Sequence, residues 1–194
     1  MNTTNQRKFT DPNPLKHWYI RRFQQRFVSL LQNLNPQSVL EVGCGEGYLL
    51  TAIALAVPSA ALLGLDVNDE ALRVGRRLWP SLKMEHGDIY RLPQSDRSWD
   101  VVIASEVLEH LERPSEALRE LKRVAKRYLL LSVPFEPWFR IGNLGRGKHL
   151  SRLGNHPEHV NQWSRRGFGD FVAAQTAVEL LSGSFPWTIV LARV

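Results

Sequence analysis

Apolar residues at positions 15, 19, 23, 27, 30, 31 and 34 recur every three or four residues between Lys16, Arg22 and Arg26, and this spacing predicts an amphipathic helix over 14–34. Asn35-Pro36 closes it, and the short apolar run Ser38–Val42 reads as a buried strand. Thereafter strand and helix alternate. The pattern predicts helix over Tyr48–Val57 up to Pro58, strand over Ala61–Leu65, helix over Asp69–Trp79 with Asn68 as its cap, and strand over Leu82–His86. It then predicts strand over Val101–Ala104, helix over Pro114–Lys126, strand over Tyr128–Val133 and helix over Ser164–Ala174. Ala177–Leu181 and Thr188–Ala192 read as a terminal β-hairpin. Strands separated by helices of about ten residues or more pair in parallel through crossovers, so the expected architecture is an α/β sheet covered on both faces.

The rhythm breaks after Pro134. Some thirty residues rich in Gly, Arg, His and Trp follow before the next helix, and a loop of that length in a compact domain usually carries function.

Composition narrows the picture in three ways. A chain of 194 residues with 43% hydrophobic content suits one well-buried domain, so 1–194 is expected to be a single unit. No stretch is long and apolar enough for a transmembrane span or a secretory leader, and one cysteine, Cys44, cannot form an internal disulfide; both point to the cytoplasm. The net charge of +6 is uneven. Residues 1–40 hold six Lys or Arg against one acid, and residues 140–166 again six against one, whereas 41–139 hold twelve against fifteen. Solvated faces and attraction of an anionic partner (a phosphate, a nucleic acid or an acidic membrane) both account for this.

The candidate chemistry lies at the strand ends. "VLEVGCGEG" places Gly43, Gly45 and Gly47 between a strand and a helix, where missing Cβ atoms allow a sharp turn and close approach of a nucleotide-like ligand. The third glycine falls one residue early for a dinucleotide fingerprint, and Glu41 and Glu46 would repel a pyrophosphate. A ligand carrying an ammonium and a sulfonium would tolerate both. "GLDVNDEAL" then puts Asp66 and Val67 at the end of the next strand, where a carboxylate can accept ribose hydroxyls. In "HGDIYRLP", Asp88 and Ile89 follow the third strand, placed for an exocyclic amine and an adenine ring.

These segments, with "WDVVIASEVLEHLERPSEALRELKRV", resemble class I S-adenosylmethionine (SAM)-dependent methyltransferases in order and spacing over residues 38–133. The resemblance implies a Rossmann-like, seven-stranded, mostly parallel sheet with its last strand antiparallel and helices on its flanks. It further implies that Glu41, Gly43, Gly45 and Gly47 hold the methionine part, Asp66 the ribose, and Asp88 and Ile89 the adenine, with Val67 also against the cofactor and Ser105 beside the methionine end. The 1–36 segment would cap the cofactor, and 134–163 would form an insertion on the substrate side. One departure is that "VAKRYLLLSVP" joins helix to strand directly, without the Lys-Pro-Gly-Gly many members carry there.

Two segments compete for the acceptor. "SEVLEHL" offers Glu106, Glu109 and His110, which at three- and four-residue spacing can face one side of a helical turn. This looks like the metal motif of small-RNA terminal 2′-O-methyltransferases and ubiquinone-pathway O-methyltransferases; His156 or His159 from "GNHPEHVNQW" would supply a further nitrogen. The expectation is a Mg²⁺ or Mn²⁺ site of Glu106, Glu109, His110 and His159, with His110 and His159 as alternative general bases. The second segment, "PFEPWFRIGNLGRGKHL", interleaves Trp138 and Phe139 with Arg140, Arg146 and Lys148; stacking on a nucleotide, contact with a membrane interface and simple capping of the sheet all fit it. The expected function is methyl transfer from SAM to an oxygen of a small or lipid-like acceptor, with RNA 2′-O-methylation as the alternative. A cofactor-binding regulator without catalysis is more distant, and a nicotinamide-dependent oxidoreductase explains only the glycine turn and Asp66.

Overall fold

The computed structural model describes residues 13–135 and 160–194. The first helix, α1 (Pro14–Leu34), turns Ile20, Phe23, Phe27, Leu30 and Leu31 inward at three- and four-residue spacing. There follow β1 (Ser38–Val42), α2 (Tyr48–Ala56), β2 (Ala61–Asp66), α3 (Asp69–Leu78), β3 (Met84–His86) and β4 (Trp99–Ser105). A short 3₁₀ turn (Leu108–His110) leads to α4 (Pro114–Val124), β5 (Ala125–Pro134), α5 (Arg165–Ala173), β6 (Ala177–Ser184) and β7 (Trp187–Arg193). Local chemistry sets several of these boundaries. The Asn68 side chain accepts from the amides of Glu70 and Ala71, and α3 places acids in its first turn and Arg76 and Arg77 in its last, complementing its dipole.

The seven strands form one sheet in the order β3-β2-β1-β4-β5-β7-β6. β1 pairs in parallel with β2 and β4, β2 with β3, and β4 with β5, while β7 runs antiparallel between β5 and β6. The predicted fold is therefore present, with the hairpin longer at both arms than its apolar run suggests. Helix α4 stops at Val124, two residues before the predicted end, because Ala125 already pairs with Trp99.

Two apolar layers sandwich the sheet. On one face α1 and α2 cover Val39, Val101, Ile103, Leu130 and Ile189; on the other α4 and α5 cover Leu40, Val102, Leu129, Leu131 and Val190. Helix α1 is thus part of the core rather than a detachable cap. Gln24 donates to the carbonyl of Tyr48, at the start of α2, and Gln32 to that of Ala56, at its end, so the two helices run side by side in the same direction. The residues of α1 before Gln24 consequently project roughly 15 Å past the start of α2. The parallel strands all end on that same edge, with the change of strand order between β1 and β4, which is where open α/β sheets bind ligands.

Candidate active site

The turn from β1 into α2 is held by its own backbone. Gly43 and Cys44 donate to the Leu65 carbonyl at 2.7 and 3.0 Å, and Gly45 donates to Asp66 Oδ2 at 2.7 Å. Gly43, Gly45 and Gly47 all have φ between +53° and +79°, a region costly for any residue with a Cβ. Part of the glycine requirement is internal to the protein: a Cβ on Gly43 would lie 2.3 Å from Val107 Cγ2, and one on Gly47 2.9 Å from Met84 Sδ. Val107, which the sequence did not single out, braces the turn from the β4 side.

Glu41 sits beneath this turn, on the α1–α2 face of the sheet. It is 3% exposed, and its Oε2 has no hydrogen-bond partner. Burial, and then the neighbouring Asp66 carboxylate, push its carboxyl well above the usual range. A buried carboxyl with an empty acceptor, one strand from another carboxylate, fits a ligand that brings positive charge. The same surroundings push the Cys44 thiol far up, burial first and the carboxylates next, so it is held as an inert thiol.

Asp66 has two duties. Its Oδ2 holds the Gly45 amide and its Oδ1 the Asn68 amide at 2.8 Å, leaving further lone pairs on each oxygen for hydroxyl donors. Val67 beside it is 67% exposed, an apolar wall at the open edge. Asp88 accepts from the Tyr90 amide at 2.9 Å, and Ile89 is buried behind it. Glu41, the glycines, Asp66, Val67, Asp88 and Ile89 thus occupy successive strand ends of one edge, an arrangement that fits an adenosyl ligand with a cationic tail. Ser105 stands at the end of β4 with its hydroxyl 3.0 Å from that of Ser132.

The acceptor-side residues depart from expectation. Glu106 is not on a helix: it adopts φ +60° immediately after β4, and its Oε2 accepts from Trp187 Nε1 at 2.7 Å. Glu109 and His110 lie on the 3₁₀ turn, Glu109 buried and His110 facing outward, with Nε2 3.9 Å from Glu109 Oε1. The shared helical face predicted for the three is therefore corrected, because the tight turn begins only after Glu106. Among the described residues no three His, Cys, Asp or Glu side chains gather as a metal site. His156 and His159, with the aromatic and basic segment from Trp138 to Lys148, lie outside the described residues.

Two residues the sequence did not flag organise this corner. Trp187 reaches Glu106 across 81 positions of sequence. Asn161 donates its side-chain amide to the carbonyls of Leu108 and Leu111, while the Val160 and Asn161 amides both donate to the Glu109 carbonyl. The 3₁₀ turn is thereby clamped by Val160 and Asn161. Phe135, just past β5, is fixed by its amide to the Pro186 carbonyl at 2.8 Å.

Residues 40–130 match the methyltransferase domain family. A probable SAM-dependent methyltransferase of Mycolicibacterium smegmatis is 32% identical over 121 residues, covering 61% of this chain and 46% of that protein. A malonyl-[acyl-carrier protein] O-methyltransferase of Halalkalibacterium halodurans is 28% identical over 130 residues, covering 60% and 48%. The chain thus spans about half the length of these curated relatives. In fold it is similar to the magnesium protoporphyrin IX methyltransferase of Synechocystis PCC 6803 with bound SAH, with a TM-score of 0.71, 19% identity, and 99% and 95% of the two chains covered. Glycine turn, acidic strand ends and sheet order agree with these likenesses, and over residues 40–130 the chain is similar to the class I SAM-dependent methyltransferases.

Proposed function

We propose that the chain transfers the methyl group of SAM to an oxygen of a small or lipid-like acceptor. The observation that carries the reading is the buried Glu41 carboxyl, its Oε2 without a hydrogen-bond partner, under a glycine turn whose neighbour Asp66 keeps free acceptor capacity. Bound SAM supplies a sulfonium whose methyl group is already activated, so the protein's part is to hold an acceptor in line and take its proton. Glu41 and the turn would orient the cationic methionine end, Asp66 the ribose, and Asp88 with Val67 and Ile89 the adenine. His110, outward on a turn clamped by Asn161 and next to Glu109, is the described side chain suited to receive the acceptor's proton. A relative named for O-methylation of malonyl-[acyl-carrier protein] supports an oxygen acceptor.

Titration calorimetry tests the cofactor: SAM and its demethylated product should bind, and NAD should not. Tritium transfer from labelled SAM into fractionated cell extract, with and without RNase and EDTA, tests the acceptor. Label in the lipid or small-molecule fraction, insensitive to RNase, is expected. Label lost on RNase treatment would replace this acceptor with RNA.

A further inference from the structure

Helix α1 has a second face that neither the core nor the cofactor edge uses. Its inward residues are committed to the sheet, yet Leu15 is 59% and Trp18 51% exposed. Phe185, in the turn between β6 and β7, is 48% exposed and packs edge-on against Tyr19 at 5.8 Å, which in turn meets Trp18 at 5.0 Å. An outward patch of Leu15, Trp18 and Phe185 results, with the partly buried Tyr19 joining the two exposed rings, at the end of α1 that projects beyond the cofactor edge. The cations sit at its rim: Arg21 and Arg22 are exposed, and the Arg22 guanidinium lies 5.4 Å over the Trp18 ring. No Asp or Glu occurs among the 21 residues of α1.

We propose that this face of α1, with the β6–β7 turn, docks the protein peripherally on an anionic lipid surface. Tryptophan and tyrosine prefer the headgroup level, where one part of the ring is apolar and another is wet, while leucine and phenylalanine gain by entering deeper. Arginines at the same level and the absence of acids complement a negative leaflet. Single-stranded nucleic acid would use the same cations but would leave Leu15, which has no ring to stack, without a role. The docked edge is the one at which the parallel strands end beside Asp66 and Asp88, so the lipid-like acceptor of the function proposed above would meet the site without crossing water.

Co-sedimentation of the full chain with vesicles tests this and needs neither cofactor nor acceptor. Binding to phosphatidylcholine vesicles containing about 30 mol % phosphatidylglycerol is expected, with much weaker binding to phosphatidylcholine alone, and release at about 0.5 M salt. The double variant Trp18→Ala/Phe185→Ala should lower the partition coefficient by about tenfold. Arg21→Gln/Arg22→Gln should lower it only on the anionic vesicles, both variants keeping the parent melting temperature. No sedimentation at millimolar lipid overturns the proposal, as does binding that both variants leave unchanged. So does a fluorescent oligoribonucleotide held through these residues while vesicles are ignored.

Discussion

A carboxyl group 3% exposed and facing a second carboxylate is disfavoured in its ionised form, so the folded chain holds the Glu41 proton more tightly than the unfolded chain does. Stability from this source is complete below the ordinary carboxyl value near 4.5 and is lost as pH rises through the raised value. Glu41→Gln should therefore raise the melting temperature of the ligand-free protein at neutral pH, by about 2–4 °C per kcal/mol recovered, and leave it unchanged in acid. The same variant should bind SAM more weakly; calorimetry and thermal melts at two pH values check both arms. Gly43→Ala meets two separate obstacles, φ +79° and the Val107 methyl. The backbone part costs about 1–2 kcal/mol, so Gly43→Ala/Val107→Ala should regain only part of the lost stability in denaturant titration. Cys44 should resist iodoacetamide in the native state and react after unfolding, as mass spectrometry would show.

At the scale of elements, Phe27 decides whether α1 is core or lid. It is fully buried against the sheet face, and Phe27→Ala should destabilise the whole domain by about 3–5 kcal/mol in a single cooperative transition. A lid would instead detach with the rest of the melt unchanged. This is also where sequence reading reached its limit. Apolar periodicity located each element, and the glycine turn with Asp66 and Asp88 was legible because their signals are local: a strand end, a turn, a fixed spacing. Three features depend on residues far apart in the chain, and periodicity does not see them. Val107 fills the space a Gly43 side chain would need, Trp187 reaches Glu106, and Asn161 pins the 108–111 turn. The helical face assigned to Glu106, Glu109 and His110 failed for a related reason. The spacing allowed a helix, but the chain leaves β4 through a left-handed residue at Glu106 and tightens into a 3₁₀ turn.

Across the whole molecule, charge and topology act on different clocks. The basic α1 influences encounter with partners, whereas the strand order governs how the molecule comes into being. β7 is the last strand in the chain but lies between β5 and β6, pairing with β5 from Tyr128 to Pro134. During synthesis at about 5–20 residues per second, the roughly 60 residues between Pro134 and Arg193 keep the apolar edge of β5 uncovered for about 3–12 s. Native β4–β5 pairing can form in that interval, but the sheet cannot close. A nascent chain halted after Ser184 should thus remain protease-sensitive and be retained by chaperones, and release of the segment through Arg193 should convert it to a resistant form in one step. Pulse proteolysis of arrested chains measures that interval, and resistance already present at Ser184 would mean that β5 finds another cover. Ribosome speed over the 134–193 stretch therefore becomes a determinant of yield, and synonymous codons that hasten it should reduce aggregation without changing a single residue.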